Sequence, residues 1–231
     1  PEIKLREAWE LPIDFIPDIK RRCDLKNIQF GCTPFYLDAV PILADYVDYF
    51  KIASYELLWH DLIQACAETG KPMIISTGMA DIPEINKALT VISKYGKASP
   101  VILHCNSSYP SAASDVNLAC MKTIREETSC KVGWSDHSVS KNIVLRAINK
   151  WNASHIEFHL DLEGEGAEFS TGHCWLPADI KEVIDFTREI AIIDGNGIKR
   201  HSSSEIIEKQ WRADPSDGLR PLKATRVEID K

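Results

Sequence analysis

The chain has 231 residues, a formal net charge of −7 and 44% hydrophobic residues, which suits one full-size α/β domain or two small ones. The negative charge argues against nucleic acid as the main partner, because phosphate backbones require clustered Lys and Arg. The 7 cysteines include no Cys-x-x-Cys pair, which argues against a disulfide scaffold or zinc knuckle and favours a reducing cytoplasm. No apolar stretch approaches the roughly 18 residues of a membrane span, so we expect no membrane partner.

Short apolar runs alternate with segments of helical periodicity along most of the chain. Residues 12–23 are predicted to be a helix, and the strands that follow are predicted at 27–32, 49–53, 73–77, 101–105, 132–134 and 155–158. Helices are predicted at 37–44, 57–67, 82–95, 115–127, 139–151 and 177–193. Asp81 and Asp115 have the residue type and the position of helix N-caps.

This alternation predicts a parallel sheet with right-handed crossovers. We expect a (β/α)8 TIM barrel that lacks its first one or two strands in this chain, with residues 1–193 as the partial barrel. Residues 194–231 carry turn signals and are predicted to form a C-terminal arm. An open Rossmann sheet is the structural alternative, but no G-x-G-x-x-G run follows any predicted strand.

Polar side chains stand at the ends of several predicted strands. The cation of Lys51 and the hydroxyls of Ser54, Ser76, Thr77 and Ser135 are donors suited to an oxyanion or phosphate. Because the carboxyl ends of parallel strands meet at one edge, these residues predict a shared anion site. A single Ser or Thr at such a position is more often a strand-end cap, and Lys51 alone could be a solvated or a Schiff-base lysine, so the prediction of an anion site depends on the donors taken together.

Two histidines, His137 and His159, end neighbouring strands. Their imidazoles could bind one divalent metal, with Asp136 and Glu157 as carboxylate partners behind them. The alternative is that one or both are core histidines hydrogen-bonded to the backbone. Glu56 follows the strand of Lys51, where it could serve as a general base or as an ordinary glutamate at a helix start.

The runs at these strand ends strongly resemble the sialic acid synthase family, which includes legionaminate and pseudaminate synthases. The resemblance covers roughly residues 27–170 and rests on runs that occur in the family's order: FGCTPF at 30–35, KIASYE at 51–56, STGM at 76–79, HC at 104–105 with YP at 109–110, and SDH at 135–137. It implies a TIM barrel and a homodimer. It also implies condensation of phosphoenolpyruvate with an N-acylated aldose to a nine-carbon 2-keto-3-deoxy sugar acid, with Mn²⁺ or Mg²⁺.

The resemblance also assigns roles to single residues. It implies phosphoenolpyruvate contacts at Thr33, Lys51, Ser54, Ser76 and Ser135, metal ligands at His137 and His159, an acid–base role for Glu56, charge stabilisation by Lys51, and a sugar-side contact at Tyr109. Ser107 stands where many members carry an Asn that contacts ligand, so its role is open.

The chain departs from the family pattern at both ends. The Glu and Asn-His-x-Gly run of the family's first strand and the Lys-Phe/Tyr-Gln run of the second are missing, as is the C-terminal antifreeze-like domain. A partial chain explains these departures. Two other functions stay open: a Schiff-base aldolase or lyase that uses Lys51, and a non-catalytic binding protein derived from the barrel.

Overall fold

The computed structural model describes residues 10–229, which divide into two compact units, one up to Thr187 and one from Arg188 on. The first unit contains a parallel sheet whose neighbours follow chain order. Its strands are β1 Gly31–Cys32, β2 Tyr49–Ile52, β3 Met73–Ser76, β4 Val101–Cys105, β5 Lys131–Asp136, β6 Ile156–Leu160 and β7 Cys174–Trp175. The sheet is a curled half-barrel, which confirms the prediction of a truncated (β/α)8 barrel.

Helices alternate with these strands. In chain order they are α1 Ile16–Lys26, α2 Ala39–Ala44, α3 His60–Glu68, α4 Ile82–Tyr95, α5 Cys120–Thr128, α6 Lys141–Asn149, α7 Gly166–Ser170 and α8 Pro177–Asp194. Short 3₁₀ turns at Ile13–Phe15 and Ser54–Glu56 precede α1 and α3. Among residues 10–229, no helix has both the length and the hydropathy needed to cross a bilayer.

Two predicted N-caps have opposite outcomes. Asp81 caps α4 through a capping box, in which its side chain accepts from the backbone of Glu84 and the Glu84 side chain accepts in return. The prediction for Asp115 was wrong, because α5 begins only at Cys120. Asn117 has φ of +38°, in the left-handed region, so an α-helix cannot run through it from Asp115.

The strand predictions were wrong at both ends of the sheet. Strand β1 is shorter than the predicted 27–32, because only Gly31 and Cys32 pair with β2. Asn27, with φ of +54°, is instead the left-handed C-cap of α1. Strand β7 was not predicted, because its 2 residues are too few to show a period. Pairing of His159 with Cys174 holds β7 beside β6, and the Trp175 indole donates to buried Asp136 of β5 at 2.9 Å.

The core of the first unit lies between the sheet and the helices. Phe50, Ile52, Ile75 and Ile102 are buried side chains of β2, β3 and β4 within it. On β2, Phe50 and Ile52 flank Lys51. Because successive side chains of a strand point to opposite faces of the sheet, Lys51 points away from the core that contains Phe50 and Ile52. The core therefore sets the direction in which the functional side chain projects.

The second unit contains the 3₁₀ turn Ser203–Glu205 and the helices α9 Ile206–Gln210 and α10 Lys223–Ile229. Asp214 organises its turn, because its carboxylate accepts from Ser216 and from the backbone of Lys223. These hydrogen bonds lower the pKa of Asp214 to about 2. Arg226 pairs with Asp217 at 2.5 Å and connects α10 to the same turn.

Candidate active site

A cleft of about 740 Å³ lies at the carboxyl ends of the strands. It brings together most of the predicted site residues, but Ser107, Thr77 and Asp136 are not among the residues that line it. Lys51 and His137 lie at the same end of the sheet, as predicted. Its lining comprises Thr33, Phe35, Lys51, Ala53, Ser54, Tyr55, Glu56, Ser76, Cys105, Tyr109, Ser135, His137, Glu157, Phe158 and His159.

One side of the cleft, here called the anion region, consists of Lys51, Ser76, Ser135 and Glu157. The Lys51 ammonium donates to Ser76 Oγ at 2.8 Å and to the Ile52 carbonyl at 2.9 Å. Glu157 Oε1 accepts from Ser135 Oγ at 2.8 Å and from Ser76 Oγ at 3.3 Å, and it lies 3.5 Å from Lys51 Nζ. Three donors from three strands therefore converge on a single carboxylate oxygen.

The charge on Lys51 depends on this carboxylate. The lysine side chain is only 12% exposed, and this desolvation lowers its pKa. The neighbouring Glu157 acts in the opposite direction and raises the pKa of Lys51. A second anion bound in the cleft would favour the ammonium form in the same way.

Beside the anion region, Ser54, Gly78 and Ser107 are close together. The Gly78 amide donates to Ser54 Oγ at 2.9 Å. A Cβ at Gly78 would lie 2.1 Å from Ser107 Oγ, so a side chain there would displace the serine. Ser107 Oγ is buried and has no hydrogen-bond partner in the described part of the chain, which leaves one donor free beside the cleft although Ser107 does not line it.

Thr77 does not act as an anion donor, contrary to the expectation. Its hydroxyl donates to the Leu103 carbonyl of β4 at 2.9 Å, and the side chain is buried outside the cleft lining. This hydrogen bond extends the contact between β3 and β4, so the strand-end cap is the correct interpretation.

Glu56 lines the cleft from the 3₁₀ turn that follows β2. Its Oε2 is buried and has no hydrogen-bond partner within residues 10–229. Burial raises the pKa of Glu56, while the nearby Lys51 charge partly opposes that shift. A carboxyl with an unpaired buried oxygen and a raised pKa has the properties of a general acid or base.

His137 and His159 line the other side of the cleft. Together with the neighbouring His173 and Glu168, which do not line it, they are here called the histidine region. The ring centroids of His137 and His159 lie 5.2 Å apart, and those of His159 and His173 lie 4.6 Å apart. Glu168 Oε1 is 3.1 Å from His173 Nε2 and 3.7 Å from His159 Nδ1. Desolvation lowers the pKa of both His137 and His159, which favours the neutral imidazole that metals bind.

The two carboxylates that were expected to support the histidines have other hydrogen-bond partners. Asp136 is fully buried and accepts from the indoles of Trp134 and Trp175, each at 2.9 Å. Glu157 belongs to the anion region instead. The hydrogen-bond partner of His137 Nδ1 is the Asn106 carbonyl at 2.8 Å, so a backbone group orients this ring.

Tyr109 lies between the two regions. Its ring centroid is 4.0 Å from that of His137, and it meets the rings of His159 and His173 edge to face. Burial raises the pKa of Tyr109 to about 12, so its phenol stays a neutral donor near neutral pH. Thr33 also lines the cleft, at the end of β1.

Sequence reasoning missed Glu168 and His173 and gave Glu157 a different role. His173 directly precedes β7, and a strand-end histidine is the signal used for His137 and His159, but β7 was not recognised. Glu168 lies on α7, a helix of 5 residues with little periodicity. These two residues share a potential metal site with His159 and Cys174, because one ligand atom from each lies within 4.8 Å of the others. The donor set fits a divalent cation.

The chain is similar in sequence to proteins of one family. The model of the NeuB family matches residues 1–199. An uncharacterised protein of Methanocaldococcus jannaschii is 36% identical over 207 residues, or 87% of this chain and 60% of that protein. N,N'-diacetyllegionaminic acid synthase of Campylobacter jejuni is 34% identical over 207 residues, or 88% of this chain and 62% of that protein.

A solved structure is also similar to this chain in fold. The sialic acid synthetase of Leptospira borgpetersenii, solved with citrate, superposes with a TM-score of 0.73 at 31% identity, over 86% of this chain and 70% of that one. The chain spans 60% and 62% of the lengths of the two relatives above. On the match over residues 1–199 and these identities, the chain belongs to the NeuB family.

Proposed function

We propose that the protein condenses phosphoenolpyruvate with an N-acylated aldose to a nine-carbon 2-keto-3-deoxy sugar acid and releases phosphate. The observation that carries this proposal is the anion region, where Lys51, Ser76 and Ser135 surround one carboxylate oxygen of Glu157. Family membership supports the reaction class, because a relative is named as a legionaminic acid synthase. Since this chain spans about three fifths of that relative, the activity of the whole protein is part of the proposal.

The donors of the anion region would bind phosphoenolpyruvate. Lys51 supplies the charge, and Ser76 and Ser135 supply directed hydroxyls. Ser54 and Thr33 line the same cleft. The unpaired hydroxyl of Ser107 is a further donor at its edge. The ligand would replace Glu157 as the acceptor of these hydrogen bonds, because the carboxylate oxygen of Glu157 occupies the position that an anionic oxygen of the ligand would take.

The histidine region would hold the divalent cation. We propose His137 and His159 as ligands of Mn²⁺ or Mg²⁺, since both line the cleft and their pKa values are lowered. A bound divalent cation supplies Lewis-acid polarisation of the aldehyde oxygen of the sugar. Tyr109, packed against both rings, would place the sugar beside them through its neutral phenol.

In the proposed reaction, C3 of phosphoenolpyruvate forms a bond to the aldehyde carbon of the sugar. Water adds to C2, and the resulting tetrahedral carbon loses phosphate by cleavage of the C2–O bond, which leaves the 2-keto group. Glu56 takes one proton of the attacking water and returns it to the leaving phosphate oxygen. The second water proton is released when the C2 keto group forms, and it is taken up by the former aldehyde oxygen, which becomes a hydroxyl. Lys51 and the serine hydroxyls stabilise the negative charge that accumulates on the phosphate.

The two alternative functions fit less well. A Schiff-base lysine is a neutral amine, typically in an apolar pocket. Burial lowers the pKa of Lys51 in that direction, but its surroundings are polar, because it donates to Ser76 and to the Ile52 carbonyl and lies 3.5 Å from Glu157, which favours its charged form. A binding protein without catalysis has no need for the buried, unpaired Oε2 of Glu56, which is costly to keep.

Three further expectations accompany this proposal. All seven cysteines are free thiols, which suits a reducing compartment, and we propose the cytoplasm. We propose a homodimer as the assembly. We also propose that residues 1–193 carry the synthase barrel and residues 194–231 an arm.

The test uses full-length protein with Mn²⁺, phosphoenolpyruvate labelled with heavy oxygen at the bridging C2–O position, and a panel of N-acylated hexoses. We expect a sugar acid product, and the label in the released phosphate because the C2–O bond breaks. Loss of label to the product would contradict the mechanism. Borohydride trapping of substrate on Lys51 would favour the aldolase instead.

A further inference from the structure

Two exposed aromatic side chains line the cleft beside the reacting groups. Phe35 follows β1 and is 61% exposed, and Tyr55 lies in the 3₁₀ turn after β2 and is 66% exposed. We propose that Phe35 and Tyr55, here called the aromatic wall, bind an apolar substituent of the sugar and so select a sugar that carries a methyl group where another carries a hydroxymethyl group. This inference rests on the proposed function, because it concerns the second substrate of that reaction.

Most polar groups of the cleft already have a role in the proposed function. The anion donors bind phosphoenolpyruvate, Glu56 serves the attacking water, and the two histidines serve the cation. The lining residues that remain for the sugar are Phe35, Ala53, Tyr55, Cys105, Tyr109 and Phe158. None of them is an acidic or basic residue, and the two tyrosines supply their only hydroxyls. A hydroxyl pressed against such a surface loses water without gaining a partner, whereas a methyl group gains from the same burial.

The turn that carries Tyr55 is held on both sides. Ser54 Oγ accepts from the Gly78 amide at 2.9 Å, and Leu57 is a buried residue of the core. Between these fixed neighbours the Tyr55 side chain stays open to solvent. Because the backbone is ordered before a ligand binds, a contact with this ring costs little conformational entropy.

The aromatic wall adjoins the place where the two substrates would meet. Tyr55 stands between Ser54, a proposed phosphoenolpyruvate contact, and Glu56, the proposed acid–base group, and all three line the cleft. Burial raises the pKa of Tyr109 most, and Tyr55 is among the neighbouring groups that add to this shift. The two phenols therefore share one part of the cleft, and a sugar placed by Tyr109 would be within reach of the wall.

The experiment uses full-length protein with Mn²⁺, phosphoenolpyruvate and two pairs of sugars. One pair is a 2-acetamido-2-deoxyhexose and its 6-deoxy analogue, and the other is the N-glycolyl and the N-acetyl form of that hexose, so each pair compares a hydroxymethyl with a methyl group. The variants are Tyr55→Ser and Phe35→Ser. The matched controls, Leu58→Ser and Tyr36→Ser, replace exposed large side chains next to the wall that do not line the cleft.

We expect the wild type to prefer the methyl member of at least one pair by about tenfold or more in kcat/KM, since an apolar pocket discriminates against an added hydroxyl by up to about 10². Tyr55→Ser and Phe35→Ser should reduce this preference to less than about threefold, and the two controls should keep it. Equal kcat/KM within both pairs for the wild type, or an unchanged preference in both wall variants, would overturn the wall and leave the synthase proposal intact.

Saturation-transfer NMR with irradiation of the aromatic protons separates this inference from the proposed reaction. Transfer to the sugar methyl protons that is lost in Tyr55→Ser would support the wall even in a protein that makes no sugar acid, and such a protein would reject the proposed function alone. Sugar acid formation with the same transfer in wild type and both wall variants would reject the wall alone. A protein that neither binds nor converts any of the sugars would reject both.

Discussion

The anion region and the histidine region are neighbours at the carboxyl ends of the strands, and both contribute residues to one cleft, but they are built differently. In the anion region, side chains from β2, β3, β5 and β6 bond to one another, and the central Lys51 is 12% exposed. In the histidine region, His159 is 41% and Glu168 65% exposed in their side chains, and most contacts are ring edges or ion pairs. The sheet thus preorganises the first region, while the second depends on the short α7–β7 segment.

This difference matters because the two regions would respond to different ligands. The anion region has its donors satisfied by Glu157, so a ligand must compete with an internal carboxylate. The histidine region holds groups whose mutual attraction is weak without a cation between them. We therefore expect substitutions in one region to leave ligand binding in the other nearly unchanged.

Glu56 gives the largest expected effect. Glu56→Gln should lower kcat by about 10² to 10⁴, the usual contribution of a positioned acid–base group. Phosphoenolpyruvate and Mn²⁺ binding, measured by calorimetry and by electron paramagnetic resonance, should both change less than about threefold if the role is purely acid–base. An equal loss in binding and in kcat would assign Glu56 to the anion region instead.

The pH profile provides a check on this effect. Because burial raises the pKa of Glu56, the acid limb of kcat/KM should lie above the ordinary glutamate range and vanish in the variant. The folded state binds the proton of Glu56 more tightly than the unfolded state does. The protonated carboxyl therefore stabilises the fold at low pH, and this contribution is lost as pH rises through the raised pKa. At neutral pH the variant should therefore be at least as stable as wild type by urea denaturation.

Lys51 gives the next largest effect and separates the two regions. Lys51→Met should weaken phosphoenolpyruvate binding by more than about tenfold, since hydrogen bonds to charged groups contribute about 1.5–3 kcal/mol. Mn²⁺ binding without phosphoenolpyruvate should be unchanged. The control is Lys131→Met, an exposed lysine that begins β5 at the opposite end of the strand. Equal binding by Lys51→Met and the control would remove Lys51 from the site.

Substitution of Glu157 should have the smallest effect, and the direction of the change in phosphate affinity is informative. In Glu157→Gln the competing negative charge is gone, so inorganic phosphate should bind about two- to tenfold more tightly at neutral pH. Isothermal calorimetry measures this, with Glu163→Gln on the exposed loop after β6 as the control. Weaker binding in Glu157→Gln would mean that the carboxylate mainly keeps Lys51 charged and in position.

Much of the anion region was predictable from the residues that end the central strands. Lys51, Ser76 and Ser135 follow or lie in strands long enough to show their period, and parallel strands end at one edge. Glu157 was recognised as a strand-end carboxylate, but its partners were not. The donors that Glu157 contacts depend on side-chain rotamers and on the curvature of the sheet. Neither of these can be predicted from the residues next to Glu157 in the sequence.

The histidine region was predictable only in part. His137 and His159 end β5 and β6, and those strands were expected. His173 and Glu168 lie on a strand end and a helix of 5 residues, both too short for a hydrophobic period. Their approach to His159 comes from the pairing of β6 with β7, which is a tertiary contact.

The sequence by itself determined the alternation of strands and helices, the parallel sheet and the strand ends at which chemistry occurs, because periodicity is a local property. It also carried the family resemblance in contiguous runs such as those at 51–56 and 135–137. Only the tertiary structure decided that Thr77 caps a strand, that Asp136 binds two indoles and that Glu157 fills the anion region. The reason is that hydrogen-bond partners far apart in the chain are chosen by packing and burial, which act after the elements have formed.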